Sequence, residues 1–416
     1  MCHQAHPILG KMYYHLNELA FVVLGYKYAC IYDLLHNKLY HIDLKVVDII
    51  NEIVLKNSVT KENEPFLSYF IEKGILTREN ELCRRLPLLT EVYNSPRPID
   101  FAWIEVTNVC NLRCIHCYNE KSNLIKRILS FQEFKQIVDE VVDMGIKKVQ
   151  IIGGEPFLIE KHTLFQMMDY LSPKVESFEL FTNGTLSSKE DLAYIKSHYP
   201  NAHIATSLHS FIKEEHEHVT QIKDSYDKTL SNIRNAKELD IPIRYVGTLM
   251  SCARIGNELE FGPPSRRDFV RLSGNANLKL YNDDLLKKRI VTEESFQFEN
   301  LKERVDIVYN ESCFASHLYI GSDMEVYPCP MERRVSHGNL KGNRLKDVLK
   351  PSILSFSKDV VEGCKDCEYR YLCIDCRPDS ITGNFYEKPW YCTYNPYDGT
   401  WMGFEEFKEY IRSYNI

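Results

Sequence analysis

The stretch CNLRCIHC, residues 110–117, determines the fold predicted for this chain. It places Cys110, Cys114 and Cys117 with three and two residues between them. Three thiolates at these spacings can ligate three irons of one [4Fe-4S] cluster, which leaves the fourth iron open to a small chelating ligand. A structural zinc site is the alternative. Zinc needs a fourth ligand and usually takes it from a second Cys-x2-Cys pair, so His116 would have to bind from inside the motif.

A second motif, IIGGEP at residues 151–156, follows at the end of the apolar run KVQII. Gly153 and Gly154 leave the backbone accessible, and the Glu155 carboxylate accepts hydrogen bonds, so this segment is suited to an ammonium group. A glycine pair alone would indicate only a turn. Together the two motifs resemble the radical SAM superfamily, in which an aromatic residue or His precedes the last Cys, as His116 does here.

The resemblance implies that S-adenosylmethionine (SAM) chelates the open iron and that the GGEP segment binds its amino group. Ser207 is then a candidate contact of the SAM ribose, and Asn183 a candidate in its surroundings. Residues Ser273 to Ala276 occupy the place of the family's adenine-side loop, after the sixth strand. The alternative for all three is turn structure, because Asn-Gly and Ser-Gly-Asn are strong turn formers.

Length and composition fit a reduced, globular protein. The 416 residues predict two or three domains, and a net charge of -7 argues against a nucleic-acid partner bound through its phosphates. The start, MCHQAHPILG, has neither the basic nor the apolar segment of an export signal, so the fourteen cysteines indicate metal-binding thiols in the cytoplasm. No apolar run approaches about 18 residues, so no membrane span is expected.

A small N-terminal module, residues 1–95, is predicted ahead of the motifs. Its β-rich runs FVVLG, YKYACIYDL and KLYHID precede the helices LKVVDIINEIV and NEPFLSYFIEKG, the second ending at Gly74. This order resembles the PqqD-like winged-helix recognition element of peptide maturases, which implies that a sheet edge pairs with the leader of a precursor peptide. A DNA-binding winged helix is the alternative, but Glu62, Glu64 and Glu72 stand where it would need basic residues.

Residues 96–300 predict an α/β barrel domain, entered through a linker at Pro96 and Pro98. The strands DFAWIEVT, KKVQII, SFELF, HIATSL and IRYVGTLM alternate with helices, the first of which has a capping box of Ser130 and Glu133. Six such units match the family's partial (β/α)6 barrel; FGPPSRRD is predicted to be a loop. Candidate residues fall at the carboxyl ends of strands: the cysteine loop, GGEP, Thr182 to Gly184, Ser207 and His209.

Seven cysteines in the last third of the chain indicate further metal sites. The CKDCEYRYLCIDC core resembles the SPASM domain, the auxiliary-cluster extension of radical SAM peptide maturases, here residues 301–416. The resemblance implies three [4Fe-4S] clusters in all. One auxiliary cluster would use Cys364, Cys367, Cys373 and Cys392, and the other Cys313, Cys329 and Cys376. Structural zinc is the alternative, since Cys-x2-Cys pairs suit it well.

The spacing of these cysteines departs from the SPASM pattern in two places. Seven residues, where four are usual, separate Gly321 from Cys329, and two residues, where three are common, separate Cys373 from Cys376. The three-cysteine set also lacks a fourth ligand. His317, Asp323, Cys252 or a substrate thiolate could complete it.

The combined resemblance implies a peptide maturase that cleaves SAM reductively and forms a thioether or carbon-carbon crosslink in a ribosomally made precursor. Its electrons would come from a low-potential donor such as flavodoxin or ferredoxin. The tail RYLCIDCRPDS…KPWYCTYNPYDGTW resembles maturases of grasp-with-spasm systems, which implies an ATP-grasp partner. Two alternatives remain: a sulfatase-type maturase that oxidises Cys or Ser, although Pro330 replaces the Asp expected after Cys329, and a zinc-binding winged-helix regulator.

Overall fold

The computed structural model describes residues 12–89, 98–119, 125–254, 261–308 and 312–413. The predicted boundary between the first two domains, with Pro96 of the linker, lies outside these residues. No helix within the described ranges has the length and apolar character needed to cross a membrane.

The N-terminal region contains the three predicted strands and two predicted helices. Strands β2, β3 and β4 form an antiparallel sheet, and α1 packs its apolar face, including Ile50 and Ile53, beneath it. Strand β1 pairs with β5 in a separate ladder that the sequence did not reveal. The elements are β1 (Tyr13–Leu16), β2 (Ala20–Leu24), β3 (Tyr28–Asp33), β4 (Lys38–Asp43), α1 (Leu44–Leu55), α2 (Glu64–Glu72) and β5 (Leu76–Glu79).

Nine strands form the central sheet, in the order β11-β10-β9-β8-β7-β6-β12-β13-β14. Strands β6 to β11 are parallel and follow the chain order, which confirms the predicted six-stranded parallel arrangement. The strands are β6 (Phe101–Thr107), β7 (Lys148–Gly153), β8 (Ser177–Phe181), β9 (Ala202–Ser207), β10 (Ile243–Leu249), β11 (Arg266–Phe269), β12 (His317–Ile320), β13 (Glu325–Tyr327) and β14 (Gly338–Asn339).

Helices cover one face of this sheet, because alternate strand residues such as Ala102, Ile104 and Val106 are apolar and point toward them. The predicted capping box is present: the Ser130 hydroxyl accepts from the Glu133 amide, and the Glu133 carboxylate accepts from the Ser130 amide at 2.8 Å. The helices are α3 (Phe131–Asp143), α4 (Lys161–Leu171), α5 (Lys189–His198), α6 (Lys213–Thr220) and α7 (Ser225–Glu238).

The segment FGPPSRRD is only partly the predicted loop. Arg266, Arg267 and Asp268 belong to β11, which pairs in parallel with β10 at the end of the sheet. Charged side chains at the edge of a sheet discourage pairing with other chains, so this composition suits an edge strand although it resembles a loop.

Strands β12 to β14 extend the sheet on the opposite side, although they come from the segment predicted as the C-terminal domain. Strand β12 lies parallel to β6, with His317 opposite Phe101, and β13 and β14 continue in antiparallel order. The strand that precedes the cysteine triad is therefore an interior strand.

The remaining C-terminal residues are mostly irregular and contact the N-terminal sheet. The Tyr32 hydroxyl donates to the Glu368 carbonyl at 2.8 Å, and His41 Nε2 lies 2.9 Å from the Glu368 carboxylate. The elements here are α8 (Asp283–Arg289), α9 (Leu301–Val308), α10 (Ser312–Ser316), α11 (Leu345–Val348), α12 (Pro351–Leu354), β15 (Tyr394–Asn395), β16 (Thr400–Trp401) and α13 (Phe404–Ser413).

Candidate functional site

The cysteine triad occupies the loop that follows β6, at the carboxyl end of the parallel strands. Cys110, Cys114 and Cys117 are all partly exposed there. The Cys117 amide donates to the Cys114 carbonyl, which curls the loop, and the Arg113 and Ile115 amides each donate to the end of α6 at 3.0 Å. The loop is thus held by its backbone, which leaves the thiols available as ligands.

The GGEP segment lies directly against the triad loop. The Gly154 amide donates to the Thr107 carbonyl at 2.7 Å, and the Glu155 amide donates to the Val109 carbonyl at 2.8 Å. A Cβ on Gly153 or Gly154 would come within 2.2 Å of these same two carbonyl oxygens. Glycine is therefore required at both positions, because only a bare backbone fits this close to the triad.

The Glu155 carboxylate is fully buried and joins the ends of β7 and β8. It accepts hydrogen bonds from the Thr182 hydroxyl at 2.7 Å, the Asn183 amide at 2.7 Å and the Phe157 amide at 3.0 Å. Burial raises the pKa of Glu155, and these hydrogen bonds act against that rise. The carboxylate thus has a structural role, while its contact with the SAM amine stays a prediction.

Asn183 also contacts the triad loop. Its Nδ2 donates to Asn111 Oδ1 at 2.9 Å and lies 3.9 Å from the Cys110 sulfur, and its Oδ1 accepts from the Thr185 amide at 2.9 Å. Ser207 lies at the carboxyl end of β9 and is partly exposed. Both residues lie at the edge of the sheet that holds the triad, and their contacts with SAM stay predictions.

The predicted adenine-side loop reaches the triad from β11. The Asn275 amide donates to the Cys117 carbonyl at 2.9 Å, and a Cβ on Gly274 would lie 2.2 Å from the same carbonyl oxygen. Gly274 has φ +62°, a conformation that favours glycine. The structure therefore brings the Ser273 to Ala276 segment and the triad together.

A group of three histidine rings lies beside the triad. The ring centroids of His116 and His209 are 4.7 Å apart, and those of His209 and His216 are 5.4 Å apart. Burial lowers the pKa of His116 and of His216 to about 4, so both rings are neutral at pH 7. His209 was a sequence candidate, whereas His216 was missed because a His in the polar helix α6 gives no distinctive pattern.

A buried polar group connects the triad with the C-terminal cysteines. Arg333 Nη2 donates to the Tyr319 hydroxyl at 2.7 Å and lies 3.8 Å from Glu105 Oε1, and its guanidinium is 5.7 Å from the Tyr118 ring. Tyr118 directly follows Cys117 in sequence. This group was not predicted from the sequence, although Glu105 is conspicuous there as a charged residue within the apolar strand β6.

Four C-terminal thiols line a single cavity, together with apolar rings such as Phe296 and Trp401. Burial raises the pKa of Cys364 and of Cys367, and raises that of Cys373 to about 12. A buried thiol ionises when it coordinates a metal, so this set fits a bound metal group. The four thiols are those of Cys364, Cys367, Cys373 and Cys392, the set predicted for one auxiliary cluster.

The thiols of the described residues do not form a compact site for a single zinc ion. Sulfurs around one tetrahedral zinc lie about 3.8 Å apart. Across the described ranges, no three cysteine sulfurs fall within 4.8 Å of one another; the one group of potential ligands that does is Glu217, Asp224 and Asp227. The thiolates of a cubane bind different irons, and the choice between a cluster and zinc at the C-terminal cysteines stays a prediction.

In the three-cysteine set, Cys313 lies near Cys329, and Cys329 lies near Cys376. The pKa of Cys329 is raised to about 12 by burial and by the charge of Cys313. The charge of Cys329 in turn adds to burial in raising the pKa of Cys376. Of the candidates for a fourth ligand, His317 stacks on Trp103 with ring centroids 5.3 Å apart.

Of the other two candidates for the fourth ligand, Asp323 has a hydrogen-bond partner and Cys252 lies near the Glu215 carboxylate. Asp323 accepts from the Glu325 amide at 3.1 Å, and the Glu215 charge, after burial, raises the pKa of Cys252. The fourth ligand of this set stays a prediction.

Comparison with known proteins agrees with this geometry. Residues 104–252 match the family model of the Radical SAM superfamily. The antilisterial bacteriocin subtilosin biosynthesis protein AlbA of Bacillus subtilis is 32% identical over 178 residues, which cover 43% of this chain and 39% of AlbA. The GTP 3',8-cyclase of Aliarcobacter butzleri is 33% identical over 151 residues, 36% of this chain and 46% of the cyclase. The chain thus spans less than half the length of these relatives.

Solved structures show the same fold. Native anSMEcpe with bound AdoMet matches 75% of this chain and 97% of its own, with a TM-score of 0.53 and 18% identity. The structure of anSMEcpe with AdoMet and the Kp18Cys peptide matches at a TM-score of 0.52, 18% identity and 76% and 97% coverage. The likeness at this identity concerns the fold alone: the parallel sheet with its strand-end cysteine loop is a radical SAM fold.

Proposed function

We propose that this chain is a radical SAM enzyme that modifies a ribosomally made precursor peptide and forms a thioether or carbon-carbon crosslink within it. One observation carries the proposal: the GGEP backbone is hydrogen-bonded to the loop of the cysteine triad, while a separate set of four thiols lines one cavity. A triad beside a bare backbone suits SAM on an open iron, and the additional thiols suit auxiliary clusters.

The cofactors of this proposal are SAM and three [4Fe-4S] clusters. The triad would hold the SAM-binding cluster, and the two C-terminal cysteine sets would hold the auxiliary clusters. Bound SAM would supply the carbon radical that removes a hydrogen atom from an unactivated position. The chain's own residues position the peptide and exclude water, and the neutral His116 and His209 rings place no charge beside the triad.

The peptide substrate is supported by two relatives and by the N-terminal module. AlbA takes part in the biosynthesis of a bacteriocin, and anSMEcpe has been observed with a bound peptide. Among the described strands, β4 is an edge of the N-terminal sheet, and all its residues are half-buried or exposed. We assign this edge, in a PqqD-like module, to the leader peptide, whose backbone would extend the sheet.

Leader binding away from the barrel would raise the effective concentration of the core peptide at the triad, so the core itself need bind only weakly. Two further partners belong to the proposal: a low-potential electron donor such as flavodoxin or ferredoxin, and an ATP-grasp protein of a grasp-with-spasm system.

The test is coexpression of the chain with each short open reading frame encoded beside its gene, followed by mass spectrometry of the peptide. A crosslinked product has lost hydrogen and contains a residue pair that fragmentation does not separate. Cys114→Ala is expected to abolish this product and the release of 5'-deoxyadenosine from SAM. Cys83→Ala, in a thiol outside all three sets, is the matched control. Release of 5'-deoxyadenosine by Cys114→Ala at the wild-type rate contradicts the proposal.

A further inference from the structure

The buried carboxylate of Asp379 binds two arginines next to the predicted cluster ligand Cys376. Arg289 Nη2 lies 2.6 Å from Asp379 Oδ2, and Arg271 Nη1 lies 3.7 Å from the same oxygen. The Leu272 amide also donates to Asp379 at 2.8 Å. Asp379 is fully buried, and its amide donates to the Cys376 carbonyl at 2.8 Å, so the carboxylate and the thiol belong to one turn.

Two guanidinium groups therefore share one carboxylate in a site that water barely reaches. The side chains of Arg271 and Arg289 are only 19% and 12% exposed. Among the described residues, Arg271 Nη1 and Arg289 Nε have no hydrogen-bond acceptor. A buried charge is unfavourable unless it is paired, so one positive charge in this site is left to be balanced.

The neighbouring groups do not balance it. The phenols of Tyr281 and Tyr391 carry no charge at neutral pH. The nearby carboxylate of Asp375 forms a fully buried ion pair with Arg377, which cancels its charge. The Cys376 thiol is the remaining candidate for the missing negative charge.

The position of Cys376 fits this role. Its amide donates to the Tyr391 hydroxyl at 3.0 Å, and the Arg289 guanidinium lies 3.5 Å from the centroid of the same Tyr391 ring. A thiol is neutral and would leave the extra positive charge unbalanced, whereas a metal-bound thiolate would balance it.

We propose that Arg271 and Arg289 raise the reduction potential of the iron-sulfur cluster that Cys376 ligates, because Asp379 cancels only one of their two charges and leaves one positive charge buried beside this ligand. The inference rests on the proposed function, which makes Cys376 a cluster ligand. A positive charge stabilises the reduced, more negative cluster, and charge and hydrogen bonding near the sulfurs are what set such potentials. A higher potential suits a cluster that accepts electrons.

The same segment contacts the SAM-binding side of the molecule. Arg271 and Leu272 adjoin the Ser273 to Ala276 loop, whose Asn275 amide donates to the Cys117 carbonyl. Arg271 is therefore a positioning and tuning residue between the triad and the auxiliary site.

The test is a reductive titration of the anaerobically reconstituted full-length protein, followed by electron paramagnetic resonance. Arg271→Gln is expected to lower one auxiliary potential by about 59 mV, which corresponds to a tenfold change in a one-electron equilibrium. Arg271→Lys keeps the charge and is expected to keep the wild-type potential. Asp379→Asn is expected to shift the same potential in the opposite direction. Arg244→Gln is the matched control, because Arg244 lies near the start of β10 and pairs with Glu179 of β8, whereas Arg271 follows the end of β11.

Arg289→Gln provides a second charge-removing variant if Arg271→Gln does not fold. Equal reduction potentials in the wild type and a folded Gln variant overturn the inference. If the potential is unchanged but SAM binding is weakened, the extra positive charge serves to bind SAM, which also overturns it. Iron analysis that finds no cluster at the Cys376 set also overturns it. Release of 5'-deoxyadenosine depends on the triad and reports separately on the proposed function.

Discussion

Gly154 shows how a single residue joins the two sequence motifs. Its amide binds the Thr107 carbonyl, and the space for a side chain is filled by the Val109 carbonyl, 2.2 Å from an ideal Cβ. Both carbonyl groups lie in the segment that leads into the triad. A change at Gly154 therefore acts on the cysteines through the backbone.

Gly154→Ala is expected to displace the triad loop, because a backbone carbonyl cannot move away as a flexible side chain can. We expect at least about a tenfold loss of 5'-deoxyadenosine release, a change of roughly 1.4 kcal/mol in activation free energy. Gly403→Ala is the matched control, since an added Cβ there meets no atom within 4 Å. Release of 5'-deoxyadenosine at the wild-type rate by both variants would show that the close packing of the GGEP segment on the triad loop is dispensable.

The triad, GGEP and Asn183 could be predicted from sequence because short spacings and strand ends reveal them. The Glu105, Arg333 and Tyr118 group could not. Its members are brought together by pairing between β6 and β12 and by the turn after Cys329, which no local pattern records.

His337 gives a pH-dependent contribution to stability. Its Nδ1 accepts from the Lys350 amide at 3.0 Å, and burial lowers its pKa from 6.5 to about 4. The unfolded chain binds this proton below pH 6.5, whereas the folded chain binds it only near pH 4. The free energy of unfolding is therefore expected to fall as the pH drops from 6.5 to 4, by up to about 3 kcal/mol from this residue.

Urea unfolding of the apoprotein at pH 7 and pH 5 measures this effect. His337→Asn is expected to have a smaller difference between the two pH values than the wild type. Other buried histidines contribute to the remaining difference, and the exposed His203 is the site of the control substitution, His203→Asn. An identical pH difference in His337→Asn and the wild type would contradict the prediction.

At the scale of elements, the N-terminal sheet is packed on the C-terminal cysteine region. The Tyr32 ring of β3 is fully buried, its hydroxyl binds the Glu368 carbonyl, and its apolar cluster includes Tyr369 and Leu372. Glu368 directly follows Cys367. The sheet assigned to the leader peptide therefore supports a predicted cluster ligand.

Tyr32→Ala is expected to destabilise the protein by about 3 to 5 kcal/mol, as for other buried aromatic residues, and to reduce the iron content. Tyr26→Ala is the matched control, because Tyr26 lies in the same hairpin and is 63% exposed. Thermal unfolding and iron analysis measure both effects. Full iron content in a destabilised Tyr32→Ala protein would show that cluster binding does not depend on the packing of the N-terminal sheet.

The elements that sequence predicted correctly are those with a strong local period or cap, such as α1 and the capped α3. The short strands β1, β5 and β12 to β14 escaped prediction because each has only two to four residues and depends on a distant partner. Charged edge strand β11 was predicted as a loop because its pairing with β10 overrides its composition.

At the scale of the whole molecule, the C-terminal region is expected to rely on its cysteines for structure. Between residues 358 and 393 the described elements are two short 3-10 turns, at Lys358–Val360 and Arg377–Asp379. Such a segment gains little from hydrogen-bonded secondary structure, so bound metal clusters are expected to provide part of its folding free energy.

Removal of iron by a chelator under air is therefore expected to make residues 358–393 sensitive to protease while the parallel sheet stays protected. The intact protein should contain about twelve irons per chain, as three cubanes require. Limited proteolysis with mass spectrometry locates the cleavage sites, and the same digestion of anaerobic holoprotein is the control. Equal sensitivity of both forms in this segment would contradict a structural role for the clusters.

Strand β12, which pairs with β6, is synthesised long after β6, and this delay is expected to affect folding during translation. His317 lies opposite Phe101, so the partner of β6 leaves the ribosome 216 residues after it. At about 5 to 20 residues per second, translation takes roughly 10 to 40 seconds to supply that strand. During this interval β6 has an unpaired edge beside three cysteine thiols, where nascent chains can associate. Overproduction should therefore yield more soluble protein when chaperones that bind nascent chains are produced alongside it.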